Sequence, residues 1–385
     1  MSQPVYLDYN ATTPVNPEVQ AIITRVLSDT FGNPSSSHHY GRQARAVIEQ
    51  ARQQVAELID ANGEEIVFTA SASEANNMAI IGSCYARQQH GRHIITSAVE
   101  HPSVLQPLQH LAAQGREVTI VPVDEYGQVN PVDIERAIRS DTVLVSVMHA
   151  NNEVGTIQPI EAIAAVTRKH GIPLHVDAAQ SAGKIPVNVN SLGADLLTLA
   201  GHKFYAPKGI GALYIREGTP LAPILFGAAQ EQGRRTGTEN VAYIAGLGTA
   251  TQLAREQLAT ITVALRDKRD HLHRLLHEAI PGLSLNGHPE ARLPNTLNVS
   301  FPGVSGKTLL EQAADSVAAS TGSACHADSD AVSGVLGAMG TSVEHAVGAV
   351  RLSVGVPTTQ GDIERAASAL INAWRQLHEN DVKPT

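Results

Sequence analysis

The chain has only two cysteines, Cys84 and Cys325, in 385 residues. That is too few for a disulfide framework or a cysteine-built zinc site, and neither a CxxC nor an HExxH string occurs, so no metal is expected. A reducing compartment fits. Positive charge is also scarce: Lys plus Arg is 28 against 37 for Asp plus Glu, a net of −9. No basic field is present to gather nucleic acid or an anionic membrane surface, and neither is expected as a partner. No apolar run approaches the roughly 18 residues of a spanning helix, and the opening MSQPVYLDYNATTP lacks the basic start and apolar stretch of a leader. The expected location is the cytoplasm. Repeats, low-complexity tracts and charge blocks are missing as well. What remains is a chain with 43% hydrophobic and 17% charged residues, the composition of a compact protein, long enough for two or three domains.

Runs rich in β-branched residues recur at 65–69, 93–97, 118–123, 142–148, 173–177, 196–200 and 211–215, and predict seven strands. Between several of them the apolar period changes to that of a helix, as in 41–58, where Ala44, Val47, Ile48, Ala51, Val55 and Leu58 share a stripe. The stretches 73–90, 104–115 and 160–170 behave alike. Alternation of this kind predicts an α/β protein with a mostly parallel sheet covered on both faces. A proline-free stretch over 240–277, broken only by Gly246 and Gly248, reads as a connector helix into a smaller α+β unit. That unit has strands at 295–300 and 350–353 and helices at 307–314 and 361–377. The division expected is 16–255 for a large domain, with 1–15 and 256–385 forming a small one.

Open α/β sheets bind ligands beyond the carboxyl ends of their strands. Three such ends carry chemistry. TASASEANN places Ser71 and Glu74 at capping-box spacing, which makes either an anion seat or an ordinary capped helix. HVDAAQS puts Asp177 where it could cap a helix or face a cation such as a protonated cofactor ring nitrogen. GHKFYAPKG sets Lys203 just past a strand, where a desolvated amine can form a Schiff base, although a solvated loop lysine is the commoner case. Lys208 is the only other lysine expected close by. Cys84 lies on an apolar helix stretch and is expected to be packed away. His38 and His39 read as loop histidines without the further ligands of a metal site.

The last two of these ends, HVDAAQS and GHKFYAPKGIGALY, together with LDYNATTP, FGNPSS, VEHPSV, HANNEVG, RRTGTEN, LPNTLNVS, GSACH and VRLSVG in order along the chain, resemble the cysteine desulfurase and selenocysteine lyase family. Its members are pyridoxal-phosphate enzymes of the class V aminotransferase group. The resemblance implies the aspartate-aminotransferase-like fold of type I and pyridoxal 5′-phosphate (PLP) as cofactor. By the same resemblance Lys203 would hold the cofactor covalently, Asp177 would pair with the pyridine nitrogen, His101 would stack on the ring and Gln180 would reach its phenolic oxygen. Ala72, Ser73 and His202 would hold the phosphate, together with Thr238 from a second subunit of a homodimer. Arg351, with Asn152 beside it, would receive the substrate carboxylate, and Cys325 would be the nucleophile. His101 would also manage protons at the substrate thiol.

The activity so implied is removal of sulfur from L-cysteine, leaving L-alanine and a persulfide on Cys325 for an acceptor or scaffold protein, as in iron–sulfur cluster biogenesis. Three rivals stand beside it: a selenocysteine lyase acting on L-selenocysteine, favoured by the residues around Cys325, His326 and Asp328; an ordinary PLP aminotransferase; and a non-catalytic scaffold. Two positions depart from the family pattern. Ala200 replaces a serine that contacts phosphate, and Val356 replaces an arginine after Ser353 to Gly355, so the carboxylate role rests on Arg351.

Overall fold

A computed structural model describes residues 3–321 and 333–381. The strands are β1 (Val5–Tyr6), β2 (Ile66–Thr69), β3 (His93–Ser97), β4 (Glu117–Val121), β5 (Thr142–Met148), β6 (Leu174–Asp177), β7 (Leu196–Ala200) and β8 (Gly211–Ile215) in the first part of the chain. They are followed by β9 (Ala229–Gln230), β10 (Arg235–Thr236), β11 (Ser284–Asn286), β12 (Thr296–Ser300), β13 (Val317–Ala318) and β14 (Ala349–Ser353). Seven form one sheet in the order β2-β8-β7-β6-β5-β3-β4. Only β8 runs against the others in it. Every residue of β3, β5, β7 and β8 is buried, as expected for strands with helices on both faces. The seven expected strands are all present, each within two residues of the expected ends.

The helices cover this sheet by their apolar stripes. Along His39–Ile59 the residues Ala44, Ile48, Ala51 and Val55 are buried and join β2, β5, β6 and β7 in one core. Ala72–Ala86 and Pro102–Ala113 supply a second core on the other face, where Cys84 is fully buried. His38 caps the helix His39–Ile59, its Nδ1 accepting from the Gly41 N–H, so the two histidines begin a helix and do not lie in a loop. The helix Pro17–Asp29 has no counterpart among the expected elements. Only Val19 and Val26 of it are buried, which leaves a thin periodic signal.

Val241–Ala279 is one continuous helix of 39 residues. Gly246 and Gly248 do not break it; they are close-packing positions, because a Cβ at either would come within 2.7 Å of Ile23 or Ala51. Leu247, Ala250 and Ala254 enter the large-sheet core, whereas Leu265, Leu272 and Leu276 enter a separate core built on β12, β14 and the helix Gln360–Asp381. Val5 and Leu7 belong to that separate core beside β12 and β14, and β1 pairs with β13. The strand order there is β11-β12-β14. The opening residues then cross to the large sheet: the Thr13 N–H donates to His202 O and the Asn16 N–H to Tyr205 O. The chain start thus carries Asp8 and Asn10 between the two cores. No helix among the described residues is long and apolar enough to cross a membrane.

Candidate active site

The carboxyl ends of β2, β6 and β7 converge as the sequence leads one to expect. At the first, Ser71 caps Ala72–Ala86: its Oγ accepts from the Glu74 N–H at 3.1 Å and its carbonyl from that of Ala75. Among the described residues the N–H groups of Ala72 and Ser73 have no protein acceptor and point out of the helix start, where partial positive charge favours an anion. Glu74 Oε2 accepts from the N–H of Ala70, the residue before the cap, so the spacing gives the Ser71 half of a capping box and not the reciprocal bond to Ser71 N–H.

At the second end, Asp177 is 6% exposed. Its Oδ1 accepts from the Ala179 N–H at 2.9 Å and its Oδ2 from Asn76 Nδ2 at 2.8 Å. Asn76 is itself fully buried, and its second Nδ2 hydrogen goes to Ser103 Oγ. Asp177 accepts from the turn that follows it and does not cap a helix, and the Asn76 amide fixes the plane of its carboxylate.

At the third end, Lys203 Nζ donates to the carbonyls of Asn10 and Ala11 at 2.7 and 2.8 Å. Burial, then the charge of Arg351, pushes its pKa down to about 8, against the opposing pull of Asp8 and Asp177. It is not a solvated loop lysine. His202, next to it, is pushed down to about 4 by burial and by Lys203, Lys208 and Lys184, so it is neutral; its Nδ1 lies 3.2 Å from Thr12 Oγ1. The ring Nε2 is left for a ligand. The expectation about Lys208 needs correction: that residue is exposed, and the buried lysine near Lys203 is Lys184, 5% exposed.

His101 caps Pro102–Ala113 through Nδ1, which faces Ser103 Oγ and the Ser103 N–H. Its pKa is lowered, by burial first and by Lys203, with Asp177 opposing. Gln180 is 6% exposed; its Nε2 donates to Asn10 O at 3.0 Å and its Oε1 accepts from Lys184 Nζ at 2.9 Å. Arg351 on β14 is 3% exposed and donates from Nη1 to Asn152 O at 3.1 Å and from Nη2 to Asp8 Oδ1 at 2.7 Å. Val356 is held by other means than an arginine's, its N–H donating to Tyr205 Oη and its carbonyl accepting from Lys268.

Thr238 is exposed just beyond β10. Its neighbourhood is anchored from within the chain. Glu231 accepts from Arg52 at 2.8 and 2.9 Å, and Arg235 Nε donates to Glu74 Oε1 at 2.8 Å. Cys325 lies outside the described residues, as do His326 and Asp328. The chain enters that segment from Ser320, whose backbone pairs with Arg351, and leaves it at Ser333, which donates to Glu153 Oε2. No group of three or more potential metal ligands occurs among the described residues.

The donor set fits PLP. Two unpartnered helix N–H groups and a neutral histidine suit a dianionic phosphate, an amine of lowered pKa suits an aldehyde, and a carboxylate held in plane suits a protonated ring nitrogen. Sequence reasoning missed Asp8, Asn10, Asn76 and Lys184. All four lie inside or next to quoted strings, but their partners come from distant parts of the chain.

Comparison with known proteins agrees. The aminotransferase class-V family model matches residues 5–366. A cysteine desulfurase IscS of Dictyoglomus turgidum is 46% identical over 371 residues, 96% of this chain and 94% of the relative. One of Methanosarcina thermophila is 45% identical over 97% of this chain and 92% of its own. Among solved structures, a NifS-like protein superposes with a TM-score of 0.90 at 35% identity, covering 98% of this chain and all of the other. SspA in complex with cysteine gives 0.82 at 37% identity over 92% and 99%. The chain belongs to the class-V aminotransferase family of PLP-dependent enzymes, and within it to the cysteine desulfurases.

Proposed function

We propose that the protein converts L-cysteine to L-alanine and takes up the sulfur as a persulfide on Cys325. The observation that carries this is the convergence of Lys203, Asp177, His101 and Arg351 at one cleft, in a chain whose relatives are named cysteine desulfurases. PLP, when bound, withdraws electrons from the substrate's Cα. Around it Ala72, Ser73 and His202 bind the phosphate, Asp177 keeps the ring nitrogen protonated, and Gln180 meets the ring oxygen.

Lys203 moves the proton at the substrate Cα. With a pKa near 8 its amine is partly unprotonated at neutral pH, which a general base requires. Arg351 receives the substrate carboxylate, its fork matching two oxygens. His101 holds or releases the proton at the substrate sulfur. Cys325 thiolate attacks that sulfur: the substrate Cβ–S bond breaks, an S–S bond forms, and Cβ gains a proton to give alanine. The balance is cysteine plus enzyme thiol to alanine plus enzyme persulfide, with no outside oxidant.

Four finer readings accompany this. The enzyme works as a homodimer in which Thr238, exposed and rigidly backed, reaches the partner's phosphate. Its persulfide passes to an acceptor of the iron–sulfur assembly kind, and it acts in the cytoplasm with 16–255 as one unit and 1–15 plus 256–385 as another, joined through the helix Val241–Ala279. Turnover of cysteine and selenocysteine side by side tests the substrate. Alanine with persulfide on Cys325 from cysteine supports the reading, and turnover of selenocysteine alone would replace it by the lyase.

A further inference from the structure

Lys184 is the buried titratable group that the reaction above does not use. It follows Asp177 by seven residues, in a tight turn where the N–H groups of Ser181 and Ala182 donate to Ala178 O and those of Lys184 and Ile185 to Ser181 O. Gly183, at φ +74°, makes the turn fit: a Cβ there would stand 2.8 Å from Phe204 Cβ, the residue after Lys203. The two lysine-bearing turns are therefore pressed together, and both lysines line one small cavity with Tyr9, Thr13 and Asn295.

A lysine so deeply buried is costly unless it is paired or neutral. Here the charges that act on it are the cations Lys203 and Arg351, and with burial they lower its pKa well below the usual value. A carboxylate partner would have indicated a simple structural ion pair. Lys184 Nζ instead donates to Gln180 Oε1 at 2.9 Å. Gln180 Nε2 donates to Asn10 O at 3.0 Å, and Asn10 O also receives Lys203 Nζ at 2.7 Å. A continuous chain of hydrogen bonds thus runs from Lys184 through Gln180 and Asn10 to Lys203.

We propose that Lys184 is a positioning residue of the cofactor site: its Nζ holds the Gln180 amide in the rotation that leaves an N–H free for the cofactor's ring oxygen. The proposal rests on the PLP reading. A free glutamine amide has two nearly equivalent rotations. Asn10 O can only accept and so takes Nε2, and Lys184 Nζ, donating to Oε1, holds the other end of the amide in the same rotation. One Nε2 hydrogen goes to Asn10, and the second remains for the ring oxygen. Without Lys184 the amide could turn its carbonyl toward that oxygen, which repels a phenolate.

The test compares wild type, Lys184→Met, Gln180→Leu and the double variant, each loaded with PLP, by the absorption band of the lysine-bound cofactor, by its pH titration and by turnover. Lys184→Met keeps the apolar stem. It should displace the band and its titration midpoint in the same sense as Gln180→Leu, and lower kcat about tenfold with little change in the KM for cysteine. In the Gln180→Leu background, Lys184→Met should change the band no further. A band unchanged in Lys184→Met, or displaced by the same amount with and without Gln180, would overturn the proposal, and so would a fall in melting temperature as its only effect. Should Lys184→Met not fold, Lys184→Gln, whose nitrogen stops one bond short, carries the same comparison with the same two outcomes. Wild-type protein that forms no borohydride-reducible cofactor adduct would instead refute the PLP reading itself.

Discussion

Asp8 Oδ1 accepts a hydrogen bond from Arg351 Nη2 at 2.7 Å, across the join between the first residues of the chain and β14. The guanidinium expected to receive a substrate carboxylate is thus held by a carboxylate of the chain itself. Asp8 is partly exposed, its side chain at 22%, while Arg351 is at 4%. The pair orients the fork and, through Asp8, also raises the pKa of Lys203.

That double role gives the first prediction. Asp8→Asn removes a negative charge from the cleft, so Lys203 should lose its proton at a pH below its present value of about 8. Amine labelling of the cofactor-free protein as a function of pH checks this. A midpoint that stays put or rises would show that Asp8 does not act on Lys203. Arg351→Ala should raise the KM for cysteine about a hundredfold, close to 3 kcal/mol, since a fork of charge-assisted bonds is lost.

Lys203→Ala is expected to abolish the borohydride-reducible attachment of PLP and nearly all turnover. The structure sharpens this by naming the rival amine. Lys184 is near and also of lowered pKa, whereas Lys208 is exposed. Peptide mapping after reduction decides between them. Label on Lys203 in the wild type and none in the variant is the expected result, and equal label on Lys184 in both would displace Lys203 from its role.

Glu100, beside His101, is fully buried, and burial pushes its pKa up to about 8 despite hydrogen bonds from Ser97 Oγ and the Met148 N–H. Among the described residues its Oε2 has no partner. The folded state therefore holds a proton that the unfolded chain releases near 4.5. The stabilisation is complete below that value and is lost as pH rises toward 8. Glu100→Gln mimics the protonated acid and should flatten this dependence, leaving the variant about 1–3 kcal/mol better placed at pH 8 than at pH 5 relative to wild type. Denaturant melts at the two pH values measure it, and parallel wild-type and variant curves would refute it.

Glu231 is buried with φ +44°, a strained backbone held by its bond to Arg52. Arg52 is itself anchored to the Ile66 carbonyl and stacked over the Phe68 ring. Removing one partner of a buried pair leaves an uncompensated charge, so Glu231→Ala should cost about 3–5 kcal/mol. If the loop to Thr238 serves a second subunit's phosphate, PLP affinity should fall as well. A variant that melts like wild type and keeps its cofactor would show that the anchor is idle.

Legibility in the sequence followed the range of the interactions. β3, β5, β7 and β8 were readable because both faces are buried and the run itself carries the signal. The placement of Lys203 and Asp177 was readable because Lys203 follows β7 and Asp177 ends β6. Lys184 was not, since its partner Gln180 gains meaning only once Asn10, 170 residues earlier, crosses to the large sheet. The hairpin of β9 and β10 escaped notice because two-residue strands have no periodicity to read. The helix Val241–Ala279 was seen as a connector, but its two glycines looked like breakers until the helices packed against them were in place.

The last prediction concerns Cys325, the proposed nucleophile, which lies outside the described residues between Ser320 and Ser333. Ser320 pairs with Arg351, the expected carboxylate site, and Ser333 is bonded to Glu153, one residue from Asn152. The segment between them therefore starts and ends beside the substrate's expected position. Cys325→Ala should change stability within about 0.5 kcal/mol, as for a surface change, and leave PLP bound. Sulfur transfer from cysteine should stop, because the other thiol cannot substitute: Cys84 is fully buried, and burial raises its pKa to about 12, so almost no thiolate exists there at neutral pH. Alkylation of wild-type protein exposed to cysteine should place the persulfide on Cys325. Persulfide on Cys84, or undiminished desulfuration in Cys325→Ala, would overturn the assignment. Activity lost on cysteine but kept on selenocysteine would favour the lyase, since the weaker Cβ–Se bond can break with selenium leaving as the element and Cβ gaining a proton to give alanine, without an attacking thiolate.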